Sequence, residues 1–338
     1  MVRIIAAVFF SLLMGMAAWM SIPSPTATER INGASLVNPP RPVGNELLLD
    51  LKERVNANWV AVIPYAFSRP NEPRVSFDRD WQWWGEHSRG NTMLIRYAKQ
   101  HNLKVMVKPH VWVRNDGWTG DFNLSTEEEW KVWEQDYSKY ILNHAIIADS
   151  MQAEMLCIGT EYRIPAANRP GFWRGLISEV RKVYSGKLTY AANWDNYDNI
   201  EWWDKLDYIG IDAYFPLLES EHPSVLEIQK SWEPIRDRLR KFSGKWDKPI
   251  LFTEYGFQSA NGATGKHWEV ETGSENANPA LQANAYEATF RALEKDEWFA
   301  GGFFWKWHLD TQGDNWRGTE WTPQNKPAEK IISKWYKP

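Results

Sequence analysis

The sequence predicts an α/β fold, a single (β/α)8 barrel, and three observations carry that expectation. Short apolar runs alternate with helix-length amphipathic stretches eight times along the chain. The chain has 338 residues and no break in composition, which suits one large barrel, since such barrels routinely exceed about 200 residues. Two of the apolar runs, EMLCIGTE at 154 to 161 and PILFTE at 249 to 254, end in a glutamate, and strand ends are where such a barrel carries its functional groups. A doubly wound open sheet is the weaker alternative.

The chain opens with Arg3 and then runs uncharged from residue 4 to residue 22, before the breakers of PSPT. Residues 1 to 22 are therefore expected to be a signal peptide or membrane anchor, and 23 to 30 a linker, leaving 31 to 338 as the folded domain. With Arg3 on the cytoplasmic side, the rest of the chain would lie outside the cytoplasm, secreted, periplasmic or tethered to the membrane through residues 4 to 22.

The barrel units follow in order. Strand-like 34 to 37 precedes a helix over 45 to 56, and 58 to 67 precedes one over 91 to 101. The run 104 to 113 precedes a long amphipathic helix over 127 to 149, opened by the cap-like Ser125 and Thr126. Next come 154 to 161 with a helix over 172 to 184, then 187 to 194 with a shorter helical piece at 200 to 205. The run 207 to 215 leads to a helix over 225 to 242, in which Pro234 predicts a kink. Last, 249 to 254 is followed by a helix over 280 to 295, and 301 to 307 by one over 328 to 335. Runs such as 250 to 253 do not alternate apolar with polar, as expected of parallel strands covered on both faces.

Composition narrows the function. Hydrophobic residues make up 43% and charged residues 24%, as in soluble globular proteins. Aromatics reach 14%, with 22 Trp, and Trp and Tyr present a flat apolar face with a polar tip, which suits sugars; others of these rings are expected to fill helix interfaces. A net charge of -4 leaves no basic footprint for nucleic acid. The one cysteine, Cys157, sits on an apolar strand with no basic neighbour to make a thiolate, so a core role is expected. The seven His are scattered with no HxH or HExxH, and no G-x-S-x-G elbow occurs, which sets aside metal-dependent and serine-hydrolase chemistry.

By the strand count Glu161 ends the fourth strand and Glu254 the seventh. A retaining glycosidase needs two carboxyl groups about 5 to 5.5 Å apart, one as acid/base and one as nucleophile, and strands on facing sides of a barrel can supply them. IGTEYR and LFTEYGF resemble the acid/base and nucleophile strands of the clan A glycoside hydrolases. GTE in place of the usual Asn-Glu pair, DYIGIDAYFPL, KPILFTEYGF and GGFFWKWH are similar to glycoside hydrolase family 113, whose known members are β-mannanases; the resemblance covers about residues 31 to 336. It implies Glu161 as acid/base, Glu254 as nucleophile, and Tyr214 as a hydrogen-bond donor that keeps Glu254 ionised. Thr160 stands where the broad clan carries the Asn that holds the sugar 2-hydroxyl, so that contact must come from elsewhere.

Other strand ends fit a sugar cleft. Trp305 and Trp307 share one side of the last strand, with Trp305 the better candidate for a stacking floor. His110 and Trp112 end the third strand, and Asn193 and Trp194 the fifth. His110 is expected either to bind a sugar hydroxyl or orient Glu161, or to sit satisfied at the rim; Asp212, deeper than Tyr214, is expected to be structural. The Gly-rich stretch 258 to 278, with His267 and Trp268, is a candidate wall or lid. The expectation is a cofactor-free, metal-free, monomeric retaining glycoside hydrolase acting on a β-linked polysaccharide or oligosaccharide, foremost as an endo-β-1,4-mannanase. Its rivals are a non-catalytic carbohydrate-binding barrel and a transglycosylase acting on cell-surface glycan.

Overall fold

The computed structural model describes residues 29–114, 117–271, 273–309 and 318–338. The expected signal or anchor at 1 to 22, and the linker up to residue 28, lie outside the described residues. Among the described residues no helix is long and apolar enough to cross a membrane.

The described residues form ten strands: β1 (Ile31–Val37), β2 (Trp59–Val62), β3 (Tyr65–Ser68), β4 (Lys104–Val107), β5 (His110–Val113), β6 (Met155–Thr160), β7 (Lys187–Asn193), β8 (Ile209–Asp212), β9 (Ile250–Tyr255) and β10 (Phe299–His308). Eight of them close into a parallel barrel in the order β1-β10-β9-β8-β7-β6-β4-β2, the (β/α)8 architecture that the alternation predicts. Helices α1 (Glu46–Val55), α2 (Ser88–Gln100), α3 (Glu127–Ser150), α4 (Arg163–Asn168), α5 (Pro170–Val183), α6 (Val225–Trp246), α7 (Pro279–Leu293) and α8 (Pro327–Trp335) accompany the strands.

The strands are covered on both sides. Every residue of β2, β6, β8 and β9 is buried, which is why these runs are apolar except near their carboxyl ends, where Thr160, Asp212, Thr253 and Glu254 stand. Alternate side chains point opposite ways: Trp59, Ala61, Met155, Cys157, Leu251 and Phe303 fill the barrel interior, while Val60, Val62, Leu156 and Ile158 pack outward in the larger apolar layer.

Two expected single strands are each split in two. Pro64 and Pro109 interrupt 58 to 67 and 104 to 113, and proline has no N–H for the ladder. The far halves, β3 and β5, pair as a separate two-stranded parallel sheet from Tyr65↔His110 to Ser68↔Val113. That sheet lifts His110 and Trp112 above the barrel rim. The helix ends obey local chemistry: Thr126 caps α3 in a reciprocal pair with Glu129, and Ser224 caps α6 with Glu227. Helix α6 runs on through Pro234 to Trp246, beyond the expected end, and stops where Asp247 turns left-handed at φ 51°. The piece expected at 200 to 205 is made of 3-10 turns, Tyr197–Asn199 and Trp203–Lys205.

Candidate active site

Glu254 is the penultimate residue of β9 and is 5% exposed. Its register partner on the neighbouring strand β8 is Asp212. Lys108 follows β4 directly, with none of its side chain exposed, and its Nζ lies 3.0 and 3.2 Å from the two carboxylate oxygens of Asp212. The same ammonium donates to Glu254 Oε1. The Thr253 hydroxyl donates to Asp212 Oδ1 at 2.7 Å, and the Tyr214 hydroxyl donates to Glu254 Oε2 at 2.7 Å, the contact that the clan resemblance implies. His110 Nε2 stands 3.4 Å from Glu254 Oε1. His110 thus faces Glu254, whereas one expectation had it orienting Glu161: Pro109 ends the β4 ladder and sets His110 on β5.

Glu161 is placed differently. It follows the last residue of β6 with φ 53°, a left-handed conformation that non-glycine residues seldom adopt and that is concentrated at functional sites. Its backbone is held on both sides, N–H to Ala191 O at 2.8 Å and carbonyl to Arg163 N at 2.8 Å. Trp118 Nε1 donates to its Oε2 at 3.2 Å.

The two glutamates are pushed in opposite directions by their surroundings. For Glu161, exclusion of water raises the carboxyl pKa, the negative charge of Glu254 raises it further, and the Trp118 hydrogen bond opposes both; the result is about 7. For Glu254, burial alone would raise the pKa, but the Lys108 charge and then His110 overcome it and hold the group down at about 2. Asp212 goes up, first by burial and then by the charge of Glu254, with Lys108 and Thr253 opposing: two carboxylates compete for one ammonium. Burial, then the charge of Lys108, lowers His110, which keeps its imidazole neutral. A raised acid beside a depressed carboxylate is the division of labour that two-carboxylate hydrolysis requires.

Both glutamates open into one cleft of about 960 Å³ at the carboxyl ends of the strands. Trp112, at 60% exposure, and Trp118 stand on one side; Asn193, Trp194 and Asp195 stand on another, with Asn193 Nδ2 donating to Asp195 Oδ1 at 3.0 Å. Trp305 lies at the floor, its ring parallel to His110 at 6.2 Å. Of the 258 to 278 segment, His267 and Trp268 line the cleft: Trp268 stacks on Trp194 at 6.1 Å and His267 packs against Tyr214 at 5.4 Å. A smaller cavity of about 320 Å³ at the opposite end of the barrel, lined by Phe252, Phe290 and Phe299, contains neither glutamate.

Trp307 requires a correction. It is 1% exposed and packs in the outer apolar layer under the Arg54 guanidinium, 4.9 Å from the ring centre, away from the cleft. The reason is a bulge: Ala34 pairs with Phe304 but Leu36 pairs with Trp307, so β10 advances one residue more than β1 and its side chains change faces. Strict alternation from Trp305 therefore misplaces Trp307. Lys108 and Trp118 are functional neighbours that the sequence reading did not single out. A lysine at the end of an otherwise apolar run is a signal for the first, because lysine is almost never fully buried unless paired; Trp118, in a loop, leaves none. Cys157 is buried with its Sγ 3.1 Å from Gly159 O, and burial pushes its thiol up to about 12, so it stays protonated. Among the described residues no group of three His, Cys, Asp or Glu side chains is placed to hold a metal ion.

Comparison with known proteins adds a family. No curated protein sequence matches significantly. The sequence model for Glycoside Hydrolase Family 113 matches residues 41–326. A solved complex of a family 113 β-1,4-mannanase is 28% identical, with a TM-score of 0.78 over 91% of this chain and 99% of its own. The family 113 β-mannanase AaManA from Alicyclobacillus acidocaldarius, in complex with ManMIm, is 24% identical, with a TM-score of 0.80 over 91% of this chain and 97% of its own. A β-glucuronidase from Ruminococcus gnavus shares the fold alone, at 13% identity and a TM-score of 0.60 over 90% of this chain and 48% of its own. Since the family match runs unbroken from β2 through β10 and takes in both glutamates, this chain belongs to glycoside hydrolase family 113 and is a glycoside hydrolase.

Proposed function

We propose that the chain is a retaining endo-β-1,4-mannanase that uses Glu254 as nucleophile and Glu161 as acid/base. The observation that carries the reading is the opposed titration of the two glutamates across one aromatic-walled cleft; the mannan assignment comes from the β-1,4-mannanases that the chain resembles over their full length.

In the first step a Glu254 oxygen attacks the anomeric carbon, the bond from that carbon to the leaving oxygen breaks, and the Glu161 proton passes to that oxygen. In the second, the Glu161 carboxylate takes a proton from water, whose oxygen attacks the same carbon and releases Glu254. Esterification removes the Glu254 charge that helps raise the Glu161 pKa, so Glu161, having given up its proton in the first step, stays ionised and available as the base for the second. Lys108 and Tyr214 stabilise Glu254 as a carboxylate, which makes it a good leaving group when the intermediate breaks down. Trp305 serves as the floor beneath the reacting sugar, with Trp112, Asn193 and Trp194 as cleft walls and His110 beside the nucleophile. We further infer a monomer working outside the cytoplasm, with residues 4 to 22 as leader or tether.

The test is hydrolysis of mannan, glucomannan, xylan and β-glucan by residues 31 to 338, beside Glu254→Gln. Release of oligosaccharides from the mannans, reduced on the order of 10⁴-fold or more in the variant, is expected. Unimpaired hydrolysis by Glu254→Gln would overturn the mechanism. Tight binding without release from any glycan would favour the non-catalytic reading, and products longer than the substrate would favour the transglycosylase.

A further inference from the structure

A second groove, about 360 Å³ in volume, adjoins the cleft and shares Tyr65, Trp112 and Trp305 with it. Its own walls are Asn38, Phe67, Trp83, Glu86 and Lys306. Trp83 is 51% exposed, although an indole that large is usually mostly buried. The backbone that carries it is tied down at several points. The backbone N–H of Trp83 donates to Glu86 Oε2 at 3.0 Å. Its neighbours tie the segment down: Trp84 N–H to Pro40 O at 3.2 Å, Gly85 N–H to Pro39 O at 2.9 Å, and Gln82 Nε2 to Tyr65 O at 2.9 Å. A flat apolar ring carried in the open on an anchored backbone, beside polar groups, can stack on a hydroxylated ligand with only its own rotamer left to order.

The position of the groove sets which part of the substrate reaches it. Glu161 follows β6 and protonates the departing sugar, so the leaving group extends past β6. Strand β10 stands across the barrel from β6, four places away in either direction around the strand order, and the groove opens beside β10, β1 and β3 through Lys306, Asn38 and Phe67. It therefore extends the cleft on the side of the sugar that becomes attached to Glu254.

We propose that this groove is a glycone-side subsite in which Trp83 stacks on a sugar of the β-linked chain beyond the one that undergoes cleavage. The assignment rests on the mannanase reading for the identity of the sugar, and on continuity with the cleft for its place. It makes Trp83 a residue that sets preferred chain length and leaves the chemical step to the two glutamates.

The experiment compares wild type with Trp83→Ala and Trp83→Tyr on manno-oligosaccharides from a disaccharide to a hexasaccharide, labelled at the reducing end to show which bond breaks. Trp83→Ala should lower kcat/KM on the longest substrates about tenfold, mainly through KM, and leave the shortest cleaved substrate unchanged. Its cleavage pattern should move toward the non-reducing end, and Trp83→Tyr, which keeps a stacking ring, should recover most of the loss. An equal loss at every length, or no loss at any, overturns the subsite while the mannanase reading stands. Wild type inactive on every manno-oligosaccharide but active on another β-glycan overturns the mannanase reading and with it the sugar assigned to the groove.

Discussion

The ammonium of Lys108 lies 3.0 and 3.2 Å from the two carboxylate oxygens of Asp212, and neither side chain is exposed. A buried charge pair is strongly destabilised when one partner is removed, because the other is left uncompensated. Here the uncompensated group would be two carboxylates, since Glu254 shares the same ammonium.

Lys108→Met should therefore lower unfolding free energy by about 3 to 5 kcal/mol, read from urea denaturation. Without the positive charge that holds it low, the Glu254 pKa should rise, so the acidic limb of kcat/KM should move to higher pH. Adding Asp212→Asn should restore part of the stability. An unmoved acidic limb would show that Lys108 is only structural.

The proposed mechanism needs Glu254 ionised and Glu161 protonated. Activity should hold between about 2 and about 7, falling as pH drops through the first value and as it rises through the second, while the fold survives. The Trp118 hydrogen bond favours the ionised form of Glu161. Trp118→Phe removes that donor, raises the Glu161 pKa and should shift the alkaline limb upward. A pH–rate profile of the two proteins decides it, and a downward shift would contradict the assignment of Glu161 as the acid.

The two tryptophans of β10 should separate cleanly. Trp307→Ala removes a ring from the packed outer layer and should cost about 3 to 5 kcal/mol of stability, with KM of the folded enzyme unchanged. Trp305→Ala opens the cleft floor and should lower kcat/KM at least tenfold, with the smaller stability loss. Thermal unfolding and steady-state kinetics on one mannan measure both.

What the sequence disclosed follows from which physical rules are local. Glu161 and Glu254 were legible because a strand end is marked by the change from an apolar run to a glycine or a polar residue. The helices were legible because amphipathic period and cap residues such as Thr126 act within a few positions. The faces of β10 were not, because the bulge after Trp305 depends on pairing with β1, far away in the chain. The split at Pro64 and Pro109 had a visible cause, yet the pairing of β3 with β5 is again long-range. Lys108 was hidden inside a run read as one strand, and its meaning depends on Asp212 and Glu254 from two other strands. Trp118 reaches the cleft from a loop whose path no periodicity records, whereas the length and Gly-rich composition of 258 to 278 mark the segment of Trp268 as a candidate wall.

The chain enters the barrel at Ile31, where β1 starts beside Gly301, while Glu161 and Glu254 stand at the other ends of the strands. A strand of this length separates floor from mouth by roughly 20 Å. Whatever is joined ahead of residue 29 thus attaches to the back of the enzyme. A resin, a lipid or a fusion partner placed there can decide where the protein works while its mouth stays open to a long polymer. The point of attachment and the chemistry occupy opposite faces, and each can be re-engineered without consulting the other.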